Sequence, residues 1–290
     1  MEIEDISKSE KEALVDLKRH ISGDISDIDF KIENRHIIEM QFPPEGVSEY
    51  SCRREVNLYE LPESIRNLKW LQVLDISDNE LEELPETIGS LPSLRVLNLD
   101  ENPISSFPES IGNLTSLQEL SLIHQHVLKY SSKRLRKLPE SIGNLKSLLK
   151  LSLWENKITL LPESFGKLKN LEELELSFNK ISRLPKTFGN LESLRAFLFR
   201  ANKLKILPDS FSNLRKLQQL DISYNQLKEI PEWFGKLESL TILDIEQNNL
   251  TQLPESILNL SNLKSINAGV GNSFDESSTV ILNKIKYRHS

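Results

Sequence analysis

Side chains that could perform catalysis or bind a metal are few and scattered in this sequence. His124 and His126 lie two residues apart and could begin a metal site, but no third ligand lies nearby. The Gly-Lys pairs at 166–167 and 235–236 lack the upstream glycine and the following Ser or Thr of a phosphate-binding loop. No pattern places a Ser-His-Asp or Cys-His arrangement at strand ends. We therefore expect no enzyme activity, no small-molecule substrate, and no cofactor or metal site.

Large side chains suited to recognition are concentrated in the second half of the chain. Trp, Tyr and Arg are the usual anchors of protein interfaces, because they bury much surface and keep a polar group for pairing. Charged neighbours then select the partner by complementarity. The candidate partner-binding residues are Trp154, Phe178, Leu198, Arg200, Tyr224, Glu175, Asp221 and Asp244.

Composition and charge exclude several other classes of protein. The chain has 36 Lys and Arg against 43 Asp and Glu, so its formal net charge is −7 and nucleic-acid and membrane binding are disfavoured. A single cysteine, Cys52, excludes an internal disulfide and a four-cysteine zinc site. The polar N-terminus carries no signal-peptide core, and no run of about 18 apolar residues occurs. We expect a cytoplasmic protein.

The chain repeats itself with a period of 23 residues. An apolar residue followed by proline marks the same repeat position nine times, and every step between these prolines is 23 residues except one of 31. The prolines are Pro62, Pro85, Pro108, Pro139, Pro162, Pro185, Pro208, Pro231 and Pro254. Each unit reads LPESIGNLxxLxxLxLxxNxLxx. This periodicity predicts stacked units that bury a shared core.

These units resemble leucine-rich repeats, and the LPxxIGNL form is similar to intracellular Ras-scaffold and plant Ras-group-related leucine-rich repeat proteins. The resemblance covers about residues 36–274. It implies an α/β leucine-rich-repeat solenoid (a horseshoe) with a parallel concave sheet, short helical or 3-10 turns on the convex side and an N-terminal helix cap. It also implies a small GTPase or a kinase complex as the partner.

The residues account for the same elements without the resemblance. Leu174 and Leu176 alternate with polar residues, which predicts a short strand with one buried face. Proline ends the strand region and starts a helical turn, and Gly166 is expected to release the chain from that turn. A column of asparagines is expected to satisfy backbone groups as a ladder, from Asn79 and Asn102 through Asn156, Asn179, Asn202, Asn225 and Asn248. Phe165, Phe188, Phe211 and Phe234 are expected to stack as a spine.

The two ends and one interruption depart from the repeat. We expect an N-terminal cap over residues 1–35, with a helix over 7–21 that begins with a capping box of Ser7 and Glu10. The solenoid should cover 36–274, followed by a cap or tail over 275–290 whose helix Ser273 and Glu276 could cap. A basic insertion over 123–134 displaces its unit's asparagine, so the ladder should either break there or be patched, with Gln125 as the candidate substitute. The insertion is either a tolerated surface loop or a loop that contacts a partner.

Period two also identifies the side chains on the exposed, concave face. They occupy the third, fifth and seventh positions of LxxLxLxxN, where eight acidic residues stand against two basic ones. Trp154, Leu198 and Arg200 are expected to point outward from this acidic face, with Phe178 and Tyr224 beside them. The alternative is that the charges only keep the face soluble and that an aromatic before the asparagine only braces the turn.

The main hypothesis is a non-enzymatic interaction module or signalling scaffold. Its concave face would bind a protein partner that offers a basic and apolar contact surface. A second surface is an alternative: it would bind an acidic protein, a nucleic acid or a membrane through a basic edge. That edge comprises Lys157, Lys180, Lys203, Lys205, Lys228, Arg183, Arg136 and Lys137. A place in a larger receptor or immune complex is a further alternative.

Overall fold

The computed structural model describes residues 6–42, 56–124 and 133–287. Two α-helices lie near the ends, α1 (Lys8–Leu17) and α2 (Glu276–Lys286). The strands are β1 (Ile21–Ser22), β2 (Asp29–Glu33), β3 (His36–Gln41), β4 (Asn57–Leu58), β5 (Val73–Asp75), β6 (Val96–Asn98), β7 (Glu119–Ser121), β8 (Lys150–Ser152), β9 (Glu173–Glu175), β10 (Ala196–Leu198), β11 (Gln219–Asp221), β12 (Ile242–Asp244) and β13 (Ser265–Asn267). Short 3-10 turns connect the repeats, at Ile25–Asp27, Glu63–Asn67, Glu86–Ser90, Glu109–Asn113, Glu140–Asn144, Glu163–Lys167, Phe188–Asn190, Asp209–Asn213, Glu232–Lys236 and Glu255–Asn259.

The chain divides into two compact units, Met1–Leu148 and Leu149–Ser290. In the first unit β3, β5, β6 and β7 pair in parallel, β2 lies antiparallel to β3, and β1 pairs with β4. In the second unit β8 to β13 pair in parallel in chain order. Each of those pairs joins residues 23 positions apart, such as Leu174 with Phe197. The sequence period is therefore the strand register, and the predicted solenoid with parallel strands and 3-10 turns is confirmed.

Proline and the alternating leucines form the repeat as predicted. Pro162 stands in extended conformation (φ −69°, ψ 155°) immediately before the 3-10 turn Glu163–Lys167. Leu174 and Leu176 are fully buried, while Glu173 between the repeat's leucines is exposed. Burial of each leucine contributes roughly 1.5–3 kcal/mol relative to leaving it in water. One repeat cannot bury these side chains alone, so the neighbouring repeats complete the core.

The phenylalanine spine is confirmed for three of its four members. Phe165 stacks on Phe188 with centroids 6.4 Å apart and planes 2° apart, and Phe188 stacks on Phe211 at 5.7 Å and 3°. Phe234 joins through Trp233, whose ring lies 6.3 Å from Phe211 and 6.2 Å from Phe234. The spine therefore continues along the second unit, with a tryptophan in its last step.

The glycine found in six of the nine repeat units has a different role from the one predicted. Gly166 does not release the chain, because it is not among the glycines with positive φ. A Cβ on Gly166 would instead lie 2.3 Å from the carbonyl oxygen of Thr187, and one on Gly189 would lie 1.8 Å from that of Ser210. At Gly166 and Gly189 glycine therefore allows a close approach of the next 3-10 turn.

The asparagine ladder is confirmed and links neighbouring repeats. Asn202 is buried; its Oδ1 accepts a hydrogen bond from the Ile181 N–H at 2.9 Å, and its Nδ2 donates to the carbonyls of Leu176 (2.9 Å) and Phe199 (3.3 Å). The ladder continues past the predicted column at Asn272, whose Oδ1 accepts from the Leu250 N–H. The candidate substitute, Gln125, lies outside the described residues.

The residue before every ladder asparagine has a left-handed backbone conformation. The sequence analysis did not predict this. The φ angles lie between 51° and 58° at Asp78, Glu101, Glu155, Phe178, Ala201, Tyr224 and Gln247. This conformation costs an L-residue roughly 1–2 kcal/mol. It is held by the next repeat: the Phe178 N–H donates to the Arg200 carbonyl at 2.8 Å, and the Tyr224 N–H to the Glu246 carbonyl at 3.0 Å.

The N-terminal helix is shorter than predicted, but its capping box is confirmed. Helix α1 ends at Leu17 rather than at residue 21, because the chain enters strand β1 at Ile21. Glu10 closes the capping box with Ser7 and is itself buried. Its carboxylate also accepts from the Ile37 N–H at 3.0 Å and lies 3.2 Å from the His36 Nδ1. Glu10 therefore joins the helix to the first sheet.

The C-terminal helix begins at a different residue from the one predicted. Asp275, not Ser273, caps α2: its Oδ1 accepts from the Ser278 N–H at 2.8 Å. Ser273 lies two residues before that cap, and its N–H donates to the Leu250 carbonyl. Ile281 and Ile285 are buried, whereas Val280 is exposed.

Candidate functional site

All eight predicted recognition residues lie on the second unit, at or just after its strands. Glu175, Leu198, Asp221 and Asp244 are the last residues of β9, β10, β11 and β12. Trp154 and Arg200 follow β8 and β10 by two residues, and Phe178 and Tyr224 occupy left-handed turn positions. The parallel register places these residues on consecutive strands, roughly 4.8 Å apart. One continuous surface therefore carries them.

Trp154 and Phe178 form an aromatic pair across two repeats. Their ring centroids are 5.2 Å apart with an interplanar angle of 62°, the edge-to-face geometry that aromatic quadrupoles favour. Phe178 keeps 42% of its surface exposed. The left-handed turn thus turns an apolar ring outward, and the tryptophan supports it from one side.

Arg200 and Tyr224 form a second pair beside the first. The guanidinium carbon lies 4.0 Å from the centroid of the tyrosine ring, which is a cation–π contact. The Arg200 Nη1 also donates to the Ser223 Oγ at 3.2 Å and lies 3.5 Å from the Glu246 Oε1. Arg200 was predicted to point outward, and its side chain is 34% exposed because these three groups hold it along the face. We call Trp154, Phe178, Arg200 and Tyr224 the aromatic platform.

The seventh position of the repeat is not uniformly exposed, contrary to the prediction. Ser177 and Ser223 are buried. The Ser223 hydroxyl donates to the Asp221 Oδ1 at 2.6 Å, and the Ser177 Oγ accepts from the Arg200 N–H at 3.0 Å. Small hydroxyl residues therefore lie beneath the platform and fix its backbone. Each of the two serines follows an acidic residue by two positions and donates a hydrogen bond to it, Ser177 to Glu175 and Ser223 to Asp221.

Three carboxylates that form no ion pair within the described residues lie beside the aromatic platform. Within the described part of the chain Glu175, Asp221 and Asp244 form no ion pair, whereas Lys150 pairs with Glu173 at 3.5 Å. We call these three the carboxylate cluster. Leu198 lies opposite Glu175 on one side and opposite Asp221 on the other, so an apolar side chain sits between two acids.

Burial makes the charged states of Glu175 and Asp244 costly. Desolvation raises the pKa of Glu175 above its ordinary value, hydrogen bonds from Ser177 oppose the rise, and the charge of Asp221 adds to it. Desolvation likewise raises the pKa of Asp244, with the charges of Asp221 and Glu246 adding to it. A cationic side chain brought to this face would relieve that cost.

The other candidates for chemistry lie partly outside the described residues. His124 is buried, and His126 and Cys52 lie outside the described residues, as does most of the insertion. Among residues 6–42, 56–124 and 133–287, no three His, Cys, Asp or Glu side chains are grouped to hold a metal. Neither helix in those ranges has the length and apolar character to cross a bilayer.

Comparison with known proteins identifies the repeats. The family model described as "Leucine-rich repeat region" matches residues 52–131 and 121–205, and "Leucine Rich Repeat" matches 216–237 and 239–260. These matches cover more than half of the chain. No protein with a curated description matches it significantly.

The solved structures of similar fold include two described as plant receptors. The leucine-rich repeat ectodomain of the Arabidopsis thaliana receptor kinase GASSHO1/SCHENGEN3, in complex with CASPARIAN STRIP INTEGRITY FACTOR 2, is 26% identical over 74% of this chain, with a TM-score of 0.63. The plant peptide hormone receptor RGFR1 in complex with RGF2 is 28% identical over 74% of this chain, with a TM-score of 0.50. The PEPR1-AtPEP1 structure is 23% identical over 93% of this chain, with a TM-score of 0.62.

This chain spans only part of those proteins. The aligned region covers 26% of the first, 42% of the second and 45% of the third. What those whole proteins do therefore does not transfer directly. The family models, the 23-residue register, the asparagine ladder and the similar folds agree on one assignment. This chain belongs to the leucine-rich repeat family.

Proposed function

We propose that this protein is a non-enzymatic interaction module that binds a protein segment on the exposed face of strands β8 to β12. The observation that carries the proposal is the aromatic platform: two large rings, Phe178 and Tyr224, are held outward at strained positions, and each is supported by a neighbour. Phe178 and Tyr224 keep 42% and 41% of their surface exposed, so both rings can contact a partner.

Charge determines the kind of partner. The carboxylate cluster offers three acids without a cation in the described part of the chain, and both basic residues of this face are already paired. An incoming lysine or arginine would therefore find unsatisfied carboxylates beside exposed rings. We infer a partner segment that combines basic side chains with apolar or aromatic ones.

The similar solved structures support a peptide-like partner. Two of them are receptors whose structures contain a bound factor or hormone peptide. Leucine-rich repeat proteins in general mediate protein–protein interaction. A role as a signalling scaffold is part of this proposal.

The LPxxIGNL form of the repeat carries a finer proposal. It favours a cytoplasmic protein whose partner is a small GTPase or a kinase complex. Capture of a purified small GTPase by the wild-type chain, in both nucleotide states, tests this choice of partner.

Selection of peptides from a random displayed library tests the main proposal. Selected peptides should be rich in Lys or Arg together with apolar residues. Trp154→Ala with Arg200→Ala should weaken their binding by about 2 kcal/mol or more, which is roughly thirtyfold in Kd.

A matched control exists in the same chain. Trp70 is an exposed tryptophan in the first unit, and Arg215 forms a 3.4 Å ion pair with Glu238 away from the face. Trp70→Ala with Arg215→Ala removes the same side-chain types and should leave binding unchanged. Equal binding by the two double variants would show that the platform is not the docking site.

A further inference from the structure

A row of cations lies beside the aromatic platform, just beyond the asparagine ladder. Lys180 and Lys203 each follow a ladder asparagine by one residue, and Arg183, Lys205 and Lys228 lie a few residues further on. None of the five forms an ion pair within the described residues. By contrast, Lys169, Arg195 and Arg215 of the same unit each pair with a glutamate. Within the part of the chain that the structure describes, these five charges are therefore not neutralised by ion pairs.

A groove of about 480 Å³ opens on this edge. It is lined by Lys205, Gln226, Lys228, Asn249 and Thr251. All five side chains can donate hydrogen bonds, two of them carry positive charge, and no carboxylate lines the groove. Glu229 follows Lys228 in sequence but does not line it. Such a lining selects an anionic group over a cationic one. We call it the basic groove.

The backbone of the basic groove is held in place by the repeat. The Gln226 N–H donates to the Leu204 carbonyl at 2.9 Å, and the Asn249 N–H donates to the Leu227 carbonyl at 2.8 Å. Consecutive repeats therefore present Lys205 and Lys228 from fixed positions. Preorganised donors lose less conformational entropy when they bind a ligand.

Exposed aliphatic side chains accompany the cations. Ile206, next to Lys205, keeps 64% of its surface exposed, and Leu160 lies two repeats earlier at the same position and is also exposed. Arg183 occupies that position between them. Charge and apolar surface together fit a peptide that alternates acidic and aliphatic side chains. The net charge of −7 opposes the long-range attraction that a nucleic acid or an anionic membrane would need.

We propose that the basic groove and its flanking residues form a second docking surface, which binds an acidic, aliphatic peptide segment of a partner protein. This surface is independent of the aromatic platform. Acidic side chains would pair with Lys205 and Lys228, and an aliphatic side chain would cover Ile206. The protein would then bind a basic segment at the aromatic platform and an acidic segment at the adjoining basic groove.

Fluorescence anisotropy with three labelled peptides tests this proposal on the full chain. The peptides alternate leucine with glutamate, glutamine or lysine. Wild type should bind the glutamate peptide more tightly than the glutamine peptide. Lys205→Glu with Lys228→Glu should weaken the glutamate peptide by about tenfold or more, because two attractive charges become repulsive. Lys186→Glu with Lys216→Glu makes the same change in net charge outside the groove and should have little effect.

The arms of the experiment separate this proposal from the proposed function. The double variant Trp154→Ala with Arg200→Ala should bind the glutamate peptide as tightly as wild type does, whether or not its affinity for the lysine peptide changes. An equal loss of affinity for the glutamate peptide in the Lys205/Lys228 variant and in the Lys186/Lys216 control would overturn the proposal. Equal binding of the glutamate and glutamine peptides by wild type would also overturn it. Tighter binding of a single-stranded oligonucleotide or of phosphatidylserine vesicles than of the glutamate peptide would also overturn it.

Discussion

Arg200 lies over the ring of Tyr224, with its guanidinium carbon 4.0 Å from the ring centroid. The same guanidinium contacts Glu246, which belongs to the repeat after that of Tyr224. Arg200 therefore connects three consecutive repeats on one face. It acts here as a support for an exposed ring rather than as a free positive charge.

Replacing Arg200 distinguishes two explanations of how the exposed face binds a basic peptide. Arg200→Ala makes the face more acidic, so an account based on charge alone predicts tighter binding of a basic peptide. We expect weaker binding, by about tenfold, because Tyr224 loses its cation–π support. Titration calorimetry with a peptide of alternating lysine and leucine measures the change. Tighter binding would favour the account based on charge alone.

Loss of a ladder asparagine should destabilise the fold strongly. Asn248 accepts from the Leu227 N–H and donates to the Ile222 carbonyl, both at 3.0 Å and both in the interior. Asn248→Ala leaves these groups unsatisfied, which we expect to lower the free energy of unfolding by about 2–4 kcal/mol. Urea denaturation measures this loss. Asn213→Ala, at an exposed position, is the control, and similar losses in both would contradict a ladder role.

The left-handed position before each asparagine predicts a stabilising glycine. Ala201 has a φ of 54°, a conformation that glycine adopts without steric cost. Ala201→Gly should raise the free energy of unfolding by up to about 1 kcal/mol, after the larger entropy of glycine in the unfolded chain is subtracted. Ala196→Gly, the same change inside strand β10, should lower it. A loss of stability at position 201 would contradict the assigned conformation.

The C-terminal helix should become sensitive to acid through its cap. Hydrogen bonds, first from the Ser278 hydroxyl and then from the Ser278 N–H, lower the pKa of Asp275 to about 2. The stabilising effect is complete above the ordinary pKa of 3.8 and is lost as the pH falls toward 2. Asp275→Ala should lower Tm at pH 7, and the difference from wild type should shrink as the pH falls through this range. A difference that stays constant down to pH 2 would contradict the cap assignment.

The carboxylate cluster should show the opposite pH dependence. The pKa of Asp244 is raised, chiefly by desolvation, so its contribution favours the folded state below its ordinary pKa and is lost as the pH rises through the raised value. Asp244→Asn should raise stability at pH 7 by less than about 1 kcal/mol, since the group is partly solvated. Asn98 provides the precedent, because it occupies the same repeat position.

The same variant should weaken binding of the basic peptide, because a carboxylate of the cluster is lost. Parallel urea denaturation and binding titrations at pH 7 and pH 4 check both effects. Lower stability of Asp244→Asn at pH 7, or a binding affinity equal to that of wild type, would contradict the assigned role of Asp244.

The 23-residue period allowed much of the fold to be predicted. Any residue that recurs at one position, such as the ladder asparagines or Phe188 and Phe211, becomes a column once the strand register equals the period. The left-handed turns could not be predicted, because the residue before the asparagine varies from Phe178 to Ala201 and Gln247. Their conformation is imposed by hydrogen bonds from the next repeat, which no local pattern specifies.

The candidate site was predicted as a set of residues but not as a set of contacts. The period placed Trp154, Arg200 and Tyr224 near one another. The contact of Arg200 with Glu246 crosses two repeats and depends on side-chain packing, so position alone could not give it. Glu10 shows the same limit, since its contact with Ile37 joins elements 27 residues apart.

The indole signals of the three tryptophans test the central claim most directly. Trp154 lies in the platform, Trp70 lies in the first unit, and Trp233 lies in the phenylalanine spine with its Nε1–H donating to Asp209. We propose an NMR titration of the ¹⁵N-labelled chain with a peptide of alternating lysine and leucine, with signals assigned by tryptophan-to-phenylalanine variants. The account predicts that the Trp154 indole signal shifts with saturation while those of Trp70 and Trp233 stay in place. A saturable shift of Trp70 or Trp233 with Trp154 unchanged would contradict it.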